Sequence, residues 1–209
     1  MLWTEGSAGK IMRADLDGRN RVELITGLDY PTAIALDDAA GKLYWAHESD
    51  DGIKRADLGG SNIETVISSN YEFGYGIAVD SKNGKLFWTE GNDDKIQSAN
   101  LDGSRVRTLF SGLEFPIAID VDPNSNRIFW SETDDPEGIY TATSNGSGRR
   151  FLIGPYADDL VVDAEDGRIY WTMPTIASYA PNWMAPVSKR LRAPAAGAIV
   201  RWRWRSILL

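Results

Sequence analysis

Cysteine is absent from this sequence, and histidine occurs once, at position 47. Without thiols the chain has no disulfide, no thiolate nucleophile and no thiolate metal site. A single histidine rules out the two-histidine-plus-carboxylate centres of hydrolytic metalloenzymes. A Ser-His-Asp arrangement would have to use His47, which stands beside Glu48 in one copy of a repeated loop and reads as an exposed substitution. Long apolar runs are also missing: no stretch reaches the ~18 residues that a membrane span requires. The start, Met1-Leu2-Trp3-Thr4-Glu5, shows neither the basic nor the apolar part of a secretory leader. The expectation is a soluble chain with no membrane span and no cofactor.

Positive charge is scarce except at one end. The net charge is −8, but residues 189–209 hold six basic residues and no acid, which leaves 16 basic against 30 acidic residues before them. So acidic a domain repels phosphates, which argues against nucleic acid or an anionic membrane as a partner of the main domain.

What the sequence has is a repeat. Tryptophans stand at 3, 45, 88, 130 and 171, at intervals of 42, 43, 42 and 41 residues. They lie in Leu2-Trp3-Thr4-Glu5, Leu43-Tyr44-Trp45-Ala46-His47, Leu86-Phe87-Trp88-Thr89-Glu90, Ile128-Phe129-Trp130-Ser131-Glu132 and Ile169-Tyr170-Trp171-Thr172. An acidic loop follows each of the first four indoles, and the pattern is lost after Thr172. Next comes Ile11-Met12-Arg13-Ala14-Asp15-Leu16-Asp17-Gly18 or its copies at 53–60 and 96–103, with a degraded copy at 139–146. Gly after Asp or Asn at the end of an alternating run marks a hairpin, because Gly accepts positive φ at no steric cost. A short β-run and then an apolar strand (33–37, 76–80, 118–122, 160–163) complete each unit. Four short strands in ~42 residues, with no helix-period run, make a propeller blade. The fold class is all-β, a six-bladed-type β-propeller.

These segments resemble the low-density lipoprotein receptor class B repeat, also called the YWTD repeat, with Glu in place of its Asp. The runs Ile-x-Arg-Ala-[Asp/Asn]-Leu-Asp-Gly and Gly-Leu-x-x-Pro resemble it too, over roughly residues 1–172. The resemblance implies six blades closed into a disc. It also implies a structural part for the motif acid and one face that receives protein ligands, in an extracellular or cell-surface setting. Six such blades need ~250 residues, so about four and a half to five are expected here. Blades two to four are complete, at about 30–69, 71–111 and 115–154. The first begins at its second strand, so its inner strand is expected from the C-terminal end. Residues 173–209 break the pattern, with Pro, Ala and Arg-Trp alternation. They read as a divergent blade, a basic-aromatic tail or an out-of-frame segment, and the abrupt change fits the last best.

In a propeller the loops joining second to third strands, and fourth strands to the next inner strand, share one face. Here those loops carry acids interleaved with aromatics, while the opposite face carries basic residues such as Arg105, Arg127, Arg149 and Arg150. This arrangement points to a non-enzymatic module that docks a basic peptide or protein. Its candidate binding residues are Tyr30, Glu48, Asp51, Phe73, Glu90, Asp94, Phe115, Glu132, Asp135 and Tyr156. The aromatics would serve as anchors and the carboxylates as steering charge. Solubility and packing between blades are the plainer uses of the same residues. The acidic pairs at 50–51, 93–94 and 134–135 lack the spacing of a Ca²⁺ loop, and Asn145-Gly146-Ser147 fits a glycosylation triplet on a turn. Two other readings stay open: a hydrolase or lyase with a divalent ion in the central channel, and a purely structural propeller within a larger protein. Against the enzyme, no polar set recurs along the inner strands; no catalytic or metal-binding residue is assigned.

Overall fold

A computed structural model describes residues 1–47, 52–68, 74–133 and 135–172. Among them lie seventeen strands and no helix. The strands group into successive antiparallel sheets of three, four, four, four and two. Blade 1 is β1 (Leu2–Glu5), β2 (Lys10–Arg13) and β3 (Val22–Thr26). Blade 2 is β4 (Pro31–Asp37), β5 (Lys42–His47), β6 (Ile53–Asp57) and β7 (Glu64–Ile67). Blade 3 is β8 (Gly74–Asp80), β9 (Lys85–Glu90), β10 (Lys95–Asn100) and β11 (Arg107–Ser111). Blade 4 is β12 (Pro116–Asp122), β13 (Arg127–Glu132), β14 (Gly138–Thr143) and β15 (Arg150–Ile153). Blade 5 is represented by β16 (Asp159–Asp163) and β17 (Arg168–Thr172). Among the described residues no inner strand pairs with β1, and the ring is an incomplete propeller. The expectations for residues 173–209 lie outside the described residues.

The repeated motif supplies the packing between blades. Alternation along a strand sends the tryptophan and the aromatic before it to opposite faces of the sheet. Trp45 packs back onto Ile11 and Ile25 of blade 1, whereas Tyr44 packs forward with Ile77 and Leu86 of blade 3. One blade on, Trp88 joins Ile53 and Ile67 of blade 2, and Phe87 joins Ile128 and Trp130 of blade 4. Trp171 closes on Ile139 and Leu152 of blade 4 in the same way. Each aromatic pair therefore fills two gaps, which is why the interval between tryptophans is so constant.

The hydroxyl after the indole fastens neighbouring inner strands. Thr4 donates to Thr32 O (2.9 Å), Thr89 to Ile117 O (2.6 Å) and Ser131 to Ala157 O (2.7 Å), in each case across to the next blade. The Thr89 and Ser131 oxygens also accept from the inner strand of their own blade, at Gly76 N (2.9 Å) and Ala118 N (3.1 Å). Blade 2 has Ala46 at this position and lacks the clamp.

The hairpin turns hold their shape even where the sequence is degraded. Gly18, Gly60, Gly103 and Gly146 donate to Asp15, Asp57, Asn100 and Thr143 respectively (2.8–2.9 Å). In blade 4, Thr143 Oγ1 replaces the carboxylate that gathers the turn, bonding Asn145 and Ser147. Gly103 shows why the residue is glycine: its φ is 82°, and a Cβ there would lie 2.0 Å from Val66 O of the preceding blade.

Candidate functional site: the acidic loop face and the channel it surrounds

Two sets of loops are tied together on one face of the disc. Leu28 N donates to Gly9 O (3.0 Å), Leu113 N to Asp94 O (2.9 Å) and Thr133 N to Glu114 O (3.1 Å). The Asp94 carboxylate accepts from Phe115 N (3.2 Å) as well, while its side chain remains exposed. The residue before the proline of Gly-Leu-x-x-Pro is aromatic and left-handed in both described copies, with φ of 43° at Tyr30 and 50° at Phe115. Such a conformation is uncommon for a bulky residue and lifts the ring out of the sheet direction. Tyr30, 47% exposed, lies over Gly6, where a Cβ would come within 2.9 Å of its ring. Tyr75 covers Gly91 in the same manner and meets Phe115 at 5.3 Å between ring centroids. The glycine after the motif acid is thus the floor on which an aromatic rests.

Of the candidate residues, Tyr30, Asp94 and Asp135 are exposed, and Phe115 and Tyr156 are half-buried. Glu48, Asp51 and Phe73 lie outside the described residues. Glu90 and Glu132 are interior, at 4% and 0% exposure. Each accepts the indole N–H two residues before it, from Trp88 (2.8 Å) and Trp130 (2.7 Å). Glu90 also pairs with Lys95 (2.9 Å). Glu132 takes Arg149 Nη2 on both oxygens (2.8 and 2.9 Å) and Glu114 N (3.0 Å). These two carboxylates carry no free charge to the surface, so they build the face and do not present to a ligand. Trp3 and Glu5 repeat the contact at 3.1 Å, so the longer glutamate still reaches the indole.

His47 takes the acid's place in blade 2. It is 2% exposed rather than a surface substitution. Its Nε2 accepts from Trp45 (2.8 Å) and its Nδ1 lies 2.8 Å from Asp29 O. Accepting at one nitrogen and donating from the other requires the neutral ring with its proton on Nδ1. Arg149 is a second correction. Its guanidinium lies 4.7 Å from the centre of the Tyr140 ring and ends on Glu132, so it adds no free charge to the opposite face.

The inner strands β4, β8, β12 and β16 border a cavity of about 640 Å³ at the axis, with Leu2, Trp3 and Thr4 of β1 at its open side. Its wall is mostly Ala, Ile, Leu and Val, broken by Asp120, Asp158 and Asp159. Asp120 departs from the repeat, since Ala35 and Ala78 occupy its position in blades 2 and 3. It accepts from Val121 N (2.8 Å) and, across the gap, from Val162 N (2.6 Å). Burial pushes its carboxyl up to about 6 despite those two donors, with Asp159 and Asp122 adding to the rise. Asp159 is also raised, again chiefly by burial. A lone carboxylate among apolar residues gave no repeating signal, which is why sequence reasoning passed over it. Among the described residues no three acids or histidines converge as a metal site would require.

Asp120 has a measurable consequence. Its folded form holds the proton more tightly than an unfolded aspartate, so its contribution favours folding below about pH 4 and is lost as the pH rises through about 6. In Asp120→Asn the unfolding free energy should gain on the wild type by on the order of 2–3 kcal/mol between pH 4 and pH 7. Urea denaturation of both proteins at the two pH values checks this.

The low-density lipoprotein receptor repeat class B matches residues 84–121, which run from Gly84 ahead of β9 to Val121 on β12 of the next blade. Low-density lipoprotein receptor-related protein 5 of Mus musculus is 44% identical over 64 residues, 30% of this chain, and the human protein 42% over the same length. The match spans only 4% of those relatives. A chain in the crystal structure of a nidogen–laminin complex superposes with a TM-score of 0.72 at 28% identity, covering 78% of this chain and 66% of its own. A gluconolactonase from Xanthomonas campestris superposes at 0.67 over 81% of this chain and 64% of its own, but at 16% identity it shares the fold alone. The motif, its repeat and the radial sheets agree: the chain is a β-propeller whose blades are similar to the low-density lipoprotein receptor class B (YWTD) repeat.

Proposed function

We propose that the chain is a non-enzymatic binding module whose acidic-aromatic face docks a basic peptide or protein segment in an extracellular or cell-surface setting. One observation carries the reading. The loops at 6–9, 27–30, 91–94, 112–115, 133–137 and 154–158 contain eight acids and not one lysine or arginine. Solubility alone does not call for excluding one sign of charge from a whole face. The exposed carboxylates Asp94 and Asp135 steer a cationic segment toward the face. Tyr30, Phe115 and Tyr156 offer rings on these same loops, and aromatics are the usual anchors of such contacts. A protein partner accords with the nidogen–laminin neighbour, itself taken from a complex.

The test uses a Lys/Arg-rich peptide selected from an array by the full chain. Asp94→Asn combined with Asp135→Asn is expected to weaken its affinity about tenfold at low salt and to flatten the salt dependence. Tyr30→Ala should mainly speed dissociation. An array in which neutral or acidic peptides bind as well as basic ones would remove the reading, as would a double variant with unchanged affinity.

A further inference from the structure

On the face opposite the acidic loops, blades 2 and 3 treat the same gap differently. In blade 2 the gap is plugged. Arg55 Nη1 donates to Leu101 O of blade 3 (2.9 Å), and Tyr44 Oη also reaches that carbonyl (3.4 Å). The cations there have carboxylates: Arg55 pairs with Glu64 (2.7 Å) and Lys42 with Asp57 (2.6 Å).

In blade 3 each of these parts is changed except the lysine, which recurs as Lys85. Strand pairing sets Arg55 opposite Tyr44 but Ser98 opposite Phe87, so both the long plug and the phenolic hydroxyl are gone. Asn100 stands where Asp57 stood and accepts Lys85 Nζ (2.7 Å). Arg107 stands where Glu64 stood, opposite Ser98, and donates to its hydroxyl (3.3 Å). The outcome is a cleft of about 510 Å³ between blades 3 and 4, within the usual size range of small-ligand pockets. The wall formed by blade 3 carries two cations, Lys85 and Arg107, whose hydrogen-bond partners are neutral. The remainder of the lining includes Asn83, Asn126 and Asn145, with Asn83 Nδ2 donating across to Asn126 Oδ1 (3.2 Å). The nearby Asp80 is 1% exposed and occupied by Asn83.

We propose that this cleft binds an anionic saccharide, holding a sulfate group between Lys85 and Arg107. Two cations without carboxylate partners favour an oxyanion. With Asn83 Nδ2, Asn126 Oδ1 and Asn145 Oδ1 already bonded, Asn83 Oδ1 and the amide N–H groups of Asn126 and Asn145 are left for sugar hydroxyls. An acidic peptide would need room for apolar side chains, yet the one aromatic in the lining, Phe87, is 1% exposed. Nucleic acid would need exposed rings for stacking, and the cleft has none. This site is independent of the acidic face.

Calorimetric titration of the full chain with a heparin-derived tetrasaccharide tests it, with a neutral tetrasaccharide and hexaglutamate as comparisons. The sulfated probe alone is expected to bind. Lys85→Ala with Arg107→Ala should weaken it by about tenfold or more. Ser98→Arg is the sharper variant, because it restores the plug of blade 2 while adding a positive charge. Occlusion predicts an affinity loss of similar size, whereas mere charge attraction predicts a gain. The proposal is overturned if the tetrasaccharide fails to bind, if Ser98→Arg binds it as well as the wild type, or if hexaglutamate binds equally.

Discussion

Glu132→Ala is expected to lower the unfolding free energy by about 3–5 kcal/mol, the usual result of removing one partner from a buried charge network. The side chain is fully buried and serves three donors: the Trp130 indole, the Glu114 amide and the Arg149 guanidinium. Alanine leaves the indole N–H, which is interior, with no acceptor. It also frees the loop that carries Phe115. Glu132→Gln keeps the shape and one acceptor but loses the charge that holds Arg149, so it should cost less than half as much. Chemical denaturation of the three proteins gives the comparison. Equal stability of wild type and alanine variant would mean that the acid is not part of the frame.

Trp130→Ala should cost about 3–5 kcal/mol, as large aromatic truncations in packed cores do. The ring is wholly buried between Phe110 of blade 3 (centroids 5.1 Å apart) and Tyr140 of its own blade (6.0 Å). Trp3→Ala should cost markedly less, because Trp3 is only half-buried. The unequal response of two copies of one motif residue is the informative part. Matching denaturation midpoints for the two variants would contradict the wedge role assigned to the buried indole.

The blades were legible because they rest on periodicity. Equal spacing of the tryptophans, alternation along each strand and Gly at each hairpin turn are local facts that a sequence displays directly. Two features of the face were not. Glu90 and Glu132 read as surface charge, since an acid is seldom fully buried unless paired. The signal that could have placed them inside was their position two residues after an indole, hence on the same side of the strand. His47 at the same position carries the same lesson, because its partners Trp45 and Asp29 lie 2 and 18 residues away and only the first is visible in the motif. Asp120 and Ser98 were hidden for the opposite reason. Asp120 departs from the repeat in one blade, and Ser98, like Thr141 one blade on, departs from the arginine of blades 1 and 2; the effect of each depends on the neighbouring blade, which the sequence of one copy does not contain.

The claim that matters most is that one face of this disc receives a basic partner. Hydrogen exchange of the full chain, with and without a bound Lys/Arg-rich peptide, addresses it directly. The account predicts slowed exchange in the loops at 27–30, 91–94, 112–115 and 154–158, with the hairpin turns at 15–20, 57–62 and 100–105 unaffected. Protection of those turns, while the acidic loops exchange as before, would contradict it.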